Sequence, residues 1–376
     1  VAEALKHLLD ADLVRRAAVH LRRQHARFDG DAFIADATRG LQGLELKQRS
    51  LAIADALERH LPADFAASAD LIEAALAPPF ETEDLGAMHR NEAGLAGWVL
   101  WPMGEYVVRR GMVHPERALP LLRALTQRFS AEFAIRPFIA AHPELAFEML
   151  ARWAHDPNVH VRRLVSEGSR PRLPWGMRLN ALVADPTPTL PLLRQLQDDP
   201  SDYVRRSVAN HLNDIAKDHP QRVAQWLHEH LPGASAERRA LLKHASRTLI
   251  KNGDAQVLAA WGLGGRFRGE VQFSVKPARL ALGGTLALAL TLTSNARQSQ
   301  ALAIDYVVHH VKADGSTSPK VFKGWQLTLA PREQRVLGKG HAVKPITTRR
   351  YYAGTHRVVV QINGKPVAEG SFTLRV

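Results

Sequence analysis

Two stretches, Asp156-Pro157-Asn158-Val159-His160-Val161-Arg162-Arg163 and Asp199-Pro200-Ser201-Asp202-Tyr203-Val204-Arg205-Arg206, read alike at an offset of 43 residues. Each opens on Asp-Pro, a helix-start signal, and continues with apolar residues at helical spacing. A period of that length is typical of two-helix HEAT or armadillo repeats, whose helix pairs stack because no pair buries its apolar face alone. A looser third copy sets Arg238-Arg239 and His244 33 residues after Arg205-Arg206 and His211. Amphipathic stretches lie between the copies, at Leu190 to Leu196 and Val223 to Leu231. The fold expected from these spacings is a HEAT-like helical solenoid with a concave face. The residues before 115 read as helical too, but their repeat register is degenerate.

The pattern changes at Gly262-Leu263-Gly264-Gly265. Beyond it apolar residues alternate, as in Val271-Phe273-Val275 and Val358 to Ile362, and Asn363-Gly364 is a hairpin-turn dipeptide. The domains expected are a helical 1–265 and an all-β 266–376. Of 50 Lys+Arg and 37 Asp+Glu, residues 266–376 hold 17 and 5, leaving 33 and 32 for residues 1–265. The formal +13 is thus a net +12 in the β part and +1 in the helical part, whose N-terminal end is acidic. Such a surplus points to an anionic partner, nucleic acid before membrane.

Composition excludes several classes of function. The 45% apolar and 23% charged shares are those of a globular chain. With no cysteine there is no disulfide, thiolate nucleophile or cysteine-ligated metal, which fits a reducing compartment. The longest uncharged run, Leu280 to Ala296, contains Gly283-Gly284 and then alternates, so it reads as a strand rather than a membrane span. The charged opening is no signal peptide and, lacking Met, reads as a trimmed start. His309-His310 and His228-Glu229-His230 lack metal-ligand spacing, and neither a P-loop nor a G-x-S-x-G elbow is present.

The repeat provides a filter for residues that matter. Arg162-Arg163, Arg205-Arg206 and Arg238-Arg239 recur, and at most one of each pair can face the concave side. They read either as a solvated or ion-paired face or as a row of phosphate contacts. Three acids break the repeat: Glu167 (register mates Asn210 and Lys243), Asp214 (mates Pro171 and Arg247) and Glu132, which opens an earlier helix. Each has a basic neighbour one turn away, Glu132–Arg136, Arg163–Glu167 and Asp214–Lys217, so taken singly each reads as an ordinary exposed helix pair. If the three share a site, those cations keep them ionised, which suits stabilising a developing cation better than general-acid work. Trp98 and Trp101 fall on one helix face and read as packing, whereas Trp175, in Arg170-Pro171-Arg172-Leu173-Pro174-Trp175, is equally a surface plug or a stacking platform.

Arg163-Leu-Val-Ser166-Glu167-Gly-Ser-Arg170-Pro-Arg172-Leu-Pro-Trp175, read with the repeats, resembles the bacterial DNA alkylation repair glycosylases of the AlkC type. Gly97-Trp98-Val-Leu-Trp101-Pro102-Met-Gly104-Glu105-Tyr106 and Asn210-His211-Leu-Asn213-Asp214-Ile-Ala-Lys217-Asp218-His219-Pro220 support it. The β part resembles the immunoglobulin-like appendage of some members, at Arg349-Arg350-Tyr351-Tyr352-Ala-Gly354. The resemblance implies a cofactor-free, metal-free glycosylase for cationic N-methylated bases such as 3-methyladenine and 3-methylcytosine. It also implies action on duplex DNA without drawing the lesion into a deep pocket, with Glu132, Glu167, Trp175 and Asp214 lining the site. Arg163, Arg170, Arg172, Arg206, Arg349 and Arg350 are the expected DNA contacts, Arg349 or Arg350 in the minor groove. The expectation is a monomeric cytoplasmic enzyme of the bacterial nucleoid. The alternative is a non-enzymatic repeat scaffold that binds protein or nucleic acid; membrane attachment lacks a basic amphipathic helix.

Overall fold

A computed structural model describes residues 5–84, 92–347 and 349–376. Among them sixteen α-helices lie between Ala11 and Ala260, and eight strands follow from Gly269 to Arg375. This is the mainly α architecture with a β C-terminal part that the patterning predicts. Two compact units divide the chain differently from its secondary structure: Val1–Asp218 with Ser235–Ala245, and His219–Ala234 with Ser246–Val376. No helix among the described residues is long and apolar enough to cross a membrane.

In the first unit the repeated octapeptide is a structural device. Asp156 Oδ1 accepts from the Asn158 backbone N–H at 2.8 Å, and Asp199 Oδ1 accepts from that of Ser201 at 2.9 Å, so both copies make the same Asx turn. The first arginine of each pair then closes the turn. Arg162 Nη1 donates to the carbonyls of Asp156 and Pro157, and Arg205 Nη1 to those of Asp199 and Pro200. The same aspartates link successive repeats, Arg123 Nε to Asp156 at 2.6 Å and Arg162 Nε to Asp199 at 2.6 Å. For Arg162 and Arg205 the ion-paired, structural reading is therefore the observed one.

These turns launch the helices Val159–Gly168 and Asp202–Asp218, which pack together and bury Val161, Leu164 and Val165 with Val204, Val208, Leu212 and Ile215. Full burial of one such aliphatic side chain is worth about 1.5–3 kcal/mol. Trp98 sits in the 3₁₀ turn Gly97–Val99, not on the helix Leu100–Gly111 that carries Trp101. The shared helix face expected for the two tryptophans is corrected accordingly. Their packing role stands: Trp98 lies 5.9 Å from Trp101 and 5.2 Å from Phe129, ring centre to ring centre, and Trp101 lies 5.6 Å from Phe133.

The β part of the second unit is a two-sheet sandwich. The strands are β1 (Gly269–Lys276), β2 (Arg279–Ala281), β3 (Thr285–Ser294), β4 (Gln300–Val311), β5 (Thr317–Leu329), β6 (Gln334–Ala342), β7 (Gly354–Ile362) and β8 (Lys365–Arg375). One sheet has the order β1-β3-β6 and the other β2-β8-β7-β4-β5, antiparallel except for β2 against β8. The alternation read from Leu286, Leu288, Leu290 and Leu292 is the inward face of β3. Leu286 and Leu288 pack with Tyr306, Val308, Val358 and Phe372, while Leu290 and Leu292 pack with Leu302, Ile304, Val360 and Ile362.

Asn363-Gly364 is the β7–β8 turn, with φ of 49° and 73°. Asn363 Nδ2 donates to the carbonyls of Gly265 and Ala301, and its Oδ1 accepts from the Ala303 N–H. Asn363→Ala removes these bonds and places a Cβ residue at positive φ without local compensation. The expected loss is about 2–4 kcal/mol, read from denaturant unfolding. Asn363→Gly relieves only the backbone and should keep most of that loss.

His310, 4% exposed, sits among the rings of Tyr351, His356 and Phe322, with His341 against Phe322 and the Tyr306 hydroxyl. Burial, with the nearby Arg349 charge, pushes His310 down to about 3, and burial lowers His341 and His356 as well. The unfolded chain binds protons on these histidines below about pH 6.5, and the folded chain does not. Stability should therefore fall as pH drops below 6.5, with the His310 contribution continuing toward pH 3 at up to about 1.4 kcal/mol per pH unit. In thermal melts between pH 7 and 4, His310→Phe should make this decline shallower.

Candidate active site

The helix Val159–Gly168 ends one residue after Glu167, and the chain turns at once, with the Ser169 hydroxyl donating to the Val165 carbonyl at 2.6 Å. That turn aims Arg170 between two elements. Its Nη1 donates to Glu167 Oε1 at 2.6 Å, and its Nε and Nη2 each lie 2.8 Å from Asp214 Oδ2, on the helix Asp202–Asp218. Arg163 extends the row, with Nη1 2.7 Å from Glu132 Oε2 and Nη2 3.8 Å from Glu167 Oε1. Lys217 Nζ closes it at 2.8 Å from Asp214 Oδ1. The result is an alternating row: Glu132, Arg163, Glu167, Arg170, Asp214, Lys217.

This geometry overturns the reading of the acids as separate exposed helix pairs. Glu167 is 6% exposed and Asp214 2%. Glu132 does not open a helix; it lies in the turn before Ile135–Ala141, half-buried, with its Oε2 accepting from the Ser130 hydroxyl. The expected Glu132–Arg136 pair is replaced by Glu132–Arg163, and Arg136 is wholly buried elsewhere. Arg163–Glu167 and Asp214–Lys217 are in contact as their spacing suggests.

Burial pushes the Glu167 carboxyl up, but the charges of Arg163 and Arg170 and a 2.6 Å hydrogen bond from Ser207 Oγ outweigh it. The carboxyl lies below its usual range and is ionised at neutral pH. His211, buried beside it, donates from Nδ1 to the Ser166 carbonyl at 2.9 Å; a carbonyl only accepts, so Nδ1 carries the proton. Burial pushes His211 down to about 4, which keeps it neutral. The Tyr203 ring lies 5.0 Å from the Arg163 guanidinium. A cavity of about 550 Å³ opens here, its wall including Glu167, Arg163, Tyr203, Arg206 and Ser207. The site holds carboxylates in a largely buried setting, with that of Glu167 ionised; among the described residues no His, Asp and Glu cluster is arranged to hold a metal.

The other expected residues differ in what they offer. Arg163 and Arg170 are held by carboxylates, Arg172 makes a two-point contact with Asp218 at 2.6 Å, and Arg206 is exposed. Trp175 is 76% exposed with φ of 64°, at the rim of a second cleft with Trp101, Phe133, Pro137 and Met177. In the β part, Arg349 is half-buried, while Arg350 is exposed with its guanidinium 5.5 Å from the Tyr352 ring. Thr348, in the same segment, lies outside the described residues.

Ser207, Tyr203 and Arg136 were not singled out as site residues from sequence. The repeat filter could have found the first two, since their mates 43 residues earlier are Leu164 and His160. A hydroxyl replaces a buried leucine at one position, and a phenol replaces an imidazole at the other.

Residues 128–249 match the family described as DNA alkylation repair enzyme, and residues 270–376 match the C-terminal Ig-like domain of uncharacterised protein YhaZ. YhaZ of Bacillus subtilis is 35% identical over 368 residues, 96% of each chain. The Pseudomonas fluorescens alkylpurine DNA glycosylase AlkC, solved bound to DNA containing an abasic site analog, superposes with a TM-score of 0.88 at 33% identity, over 99% of each chain. The HEAT-like helical region, the immunoglobulin-like domain after it and these full-length relatives together make the chain a member of the AlkC-type family of DNA alkylation repair proteins.

Proposed function

We propose that the protein is a DNA glycosylase that hydrolyses the N-glycosidic bond of cationic N-methylated bases, 3-methyladenine and 3-methylcytosine, in duplex DNA during base excision repair. The observation that carries this reading is the buried row in which Arg163 and Arg170 hold Glu132, Glu167 and Asp214 together. A base methylated on a ring nitrogen is already positive and leaves with little help from an acid. The barrier then belongs to the oxocarbenium-like sugar, which carboxylates stabilise through preorganised charge. The same carboxylates orient the attacking water and accept its proton. Trp175, with its indole face exposed, supplies a cation–π surface for the sugar.

The low-lying carboxyl of Glu167 fits this role, because a site that must be anionic gains nothing from a raised pKa. It contrasts with glycosidases whose general acid is kept protonated by an apolar pocket. The arginines divide between two tasks. Arg163 and Arg170 hold the acids in place, while exposed Arg206 and, on the β part, Arg349 and Arg350 are the proposed phosphate and minor-groove contacts, with Arg172 beside its Asp218 partner as a further phosphate contact.

Asp214→Asn and Glu167→Gln should each slow excision by about 100- to 1,000-fold, the loss of roughly 3–4 kcal/mol of transition-state stabilisation. Affinity for duplex DNA containing an abasic site should stay within a few fold. Chromatographic assay of bases released from methylated duplex DNA checks the first expectation, and wild-type release from both variants would overturn the assignment.

The joint substitution Arg349→Ala and Arg350→Ala should flatten the slope of log affinity against log salt by about 1.8, close to 0.9 per lost phosphate contact. Titrations of a methylated or abasic duplex between low and physiological salt measure it. An unchanged slope removes these two residues from the DNA interface.

A further inference from the structure

Arg136 stands in an otherwise uncharged run, Phe133-Ala134-Ile135-Arg136-Pro137-Phe138-Ile139, and its side chain has no exposed surface. No carboxylate among the described residues bonds to it. Its Nε donates to the Met177 carbonyl at 2.6 Å, and its Nη1 donates to the Gly168 carbonyl at 2.8 Å. Its Nη2 is buried with no hydrogen-bond partner. Burial lowers its pKa to about 10, so it is still a cation at neutral pH. A buried guanidinium with one amino group unsatisfied is a poor way to add stability, since an apolar side chain of similar volume is commonly as good or better.

Its two partners explain why a guanidinium is useful there. Gly168 directly follows Glu167, and Met177 is two residues after Trp175. Nε and Nη1 of one rigid planar group therefore tie the end of the Glu167 helix to the segment that presents the indole. That segment needs tying, because Trp175 has a φ of 64°, a backbone conformation that bulky residues rarely adopt. Gly176 completes the arrangement: a Cβ there would lie 3.3 Å from Arg136 Nε, 3.3 Å from Phe133 Cδ1 and 3.1 Å from Leu173 Cδ2. The backbone after the indole thus lies directly on the guanidinium.

We propose that Arg136 is a positioning residue for base excision, its guanidinium bridging the Gly168 and Met177 carbonyls so that the Trp175 indole is fixed relative to Glu167. The inference rests on the proposed function, in which Trp175 and Glu167 serve one site. It predicts that Arg136 acts through Trp175, which a merely structural role would not require.

The test is a double-mutant cycle on single-turnover excision from methylated duplex DNA, using the full chain with Arg136→Met, Trp175→Ala and the pair. Arg136→Met should slow excision by about tenfold or more, the scale expected when a reacting group is displaced by under an ångström or so. Its affinity for abasic-site duplex should be little changed. In the Trp175→Ala background the same substitution should cost less than about twofold. The proposal is overturned if Arg136→Met costs the same factor in both backgrounds, or if it excises at the wild-type rate. Should Arg136→Met fail to fold, Gly176→Ala places a methyl against the same Nε and runs through the same cycle with the same two readings. If Trp175→Ala itself excises at the wild-type rate, the role of Trp175 in the proposed function falls and this inference falls with it. If Trp175→Ala is slow and the cycle is additive, only the inference falls.

Discussion

The bridge from Arg170 to Glu167 and Asp214 is the constraint on which the rest of the site depends. A carboxyl as deeply buried as that of Glu167 stays ionised only with compensation, because desolvation favours its protonated form. Arg170 meets Glu167 and Asp214 with short bonds, while Arg163 binds Glu132 at 2.7 Å and lies 3.8 Å from Glu167. Breaking one such buried pair typically costs about 3–5 kcal/mol, since a charge is left without its partner. The local fold serves this bridge. The helix stops at Gly168, Ser169 closes the turn, and Arg170 points toward the next repeat rather than into solvent.

The distribution of charge along the chain follows from the same need. On the proposed function the site favours a positive sugar, and a field of uncompensated lysines and arginines around it would weaken it. The helical part, with 33 basic and 32 acidic residues in 1–265, balances its cations nearly one for one. Many of its arginines are paired with aspartates, which offset their long-range attraction: Arg123, Arg162 and Arg238 are examples. The surplus of 17 over 5 lies in 266–376, the part to which the proposed electrostatic capture of DNA is assigned.

The parts of the fold that sequence made legible are those written in local chemistry. Asp-Pro turns, the inward leucines of β3 and the Asn363-Gly364 turn all depend on residues a few positions apart, and the 43-residue offset shows because one such local pattern recurs. The acids were also detectable, because each breaks the repeat. Their partners were not. Glu132–Arg136 was inferred from helical spacing, but the helix begins only at Ile135, so that spacing does not apply. Arg170–Asp214 joins residues 44 apart, and Ser207–Glu167 joins residues 40 apart, through packing that no local pattern encodes. The positive φ of Trp175 was equally hidden, since nothing in an indole favours that conformation; the fold imposes it.

The row also distinguishes two acids that look equivalent in sequence. Both oxygens of Glu167 have buried partners, Oε1 to Arg170 and Oε2 to the Ser207 hydroxyl. Asp214 is held on Oδ2 by Arg170, but its Oδ1 meets Lys217, whose side chain is 44% exposed. A flexible ammonium at the surface gives up a partner to water far more readily than a buried guanidinium does. On the proposed chemistry, Glu167 then acts by its fixed charge, and Asp214 is the acid with an oxygen that can exchange its partner for the attacking water. Polarity alternates along the row and its most exposed member is Lys217, so on the proposed chemistry the oxygen that can meet water is the one Lys217 holds.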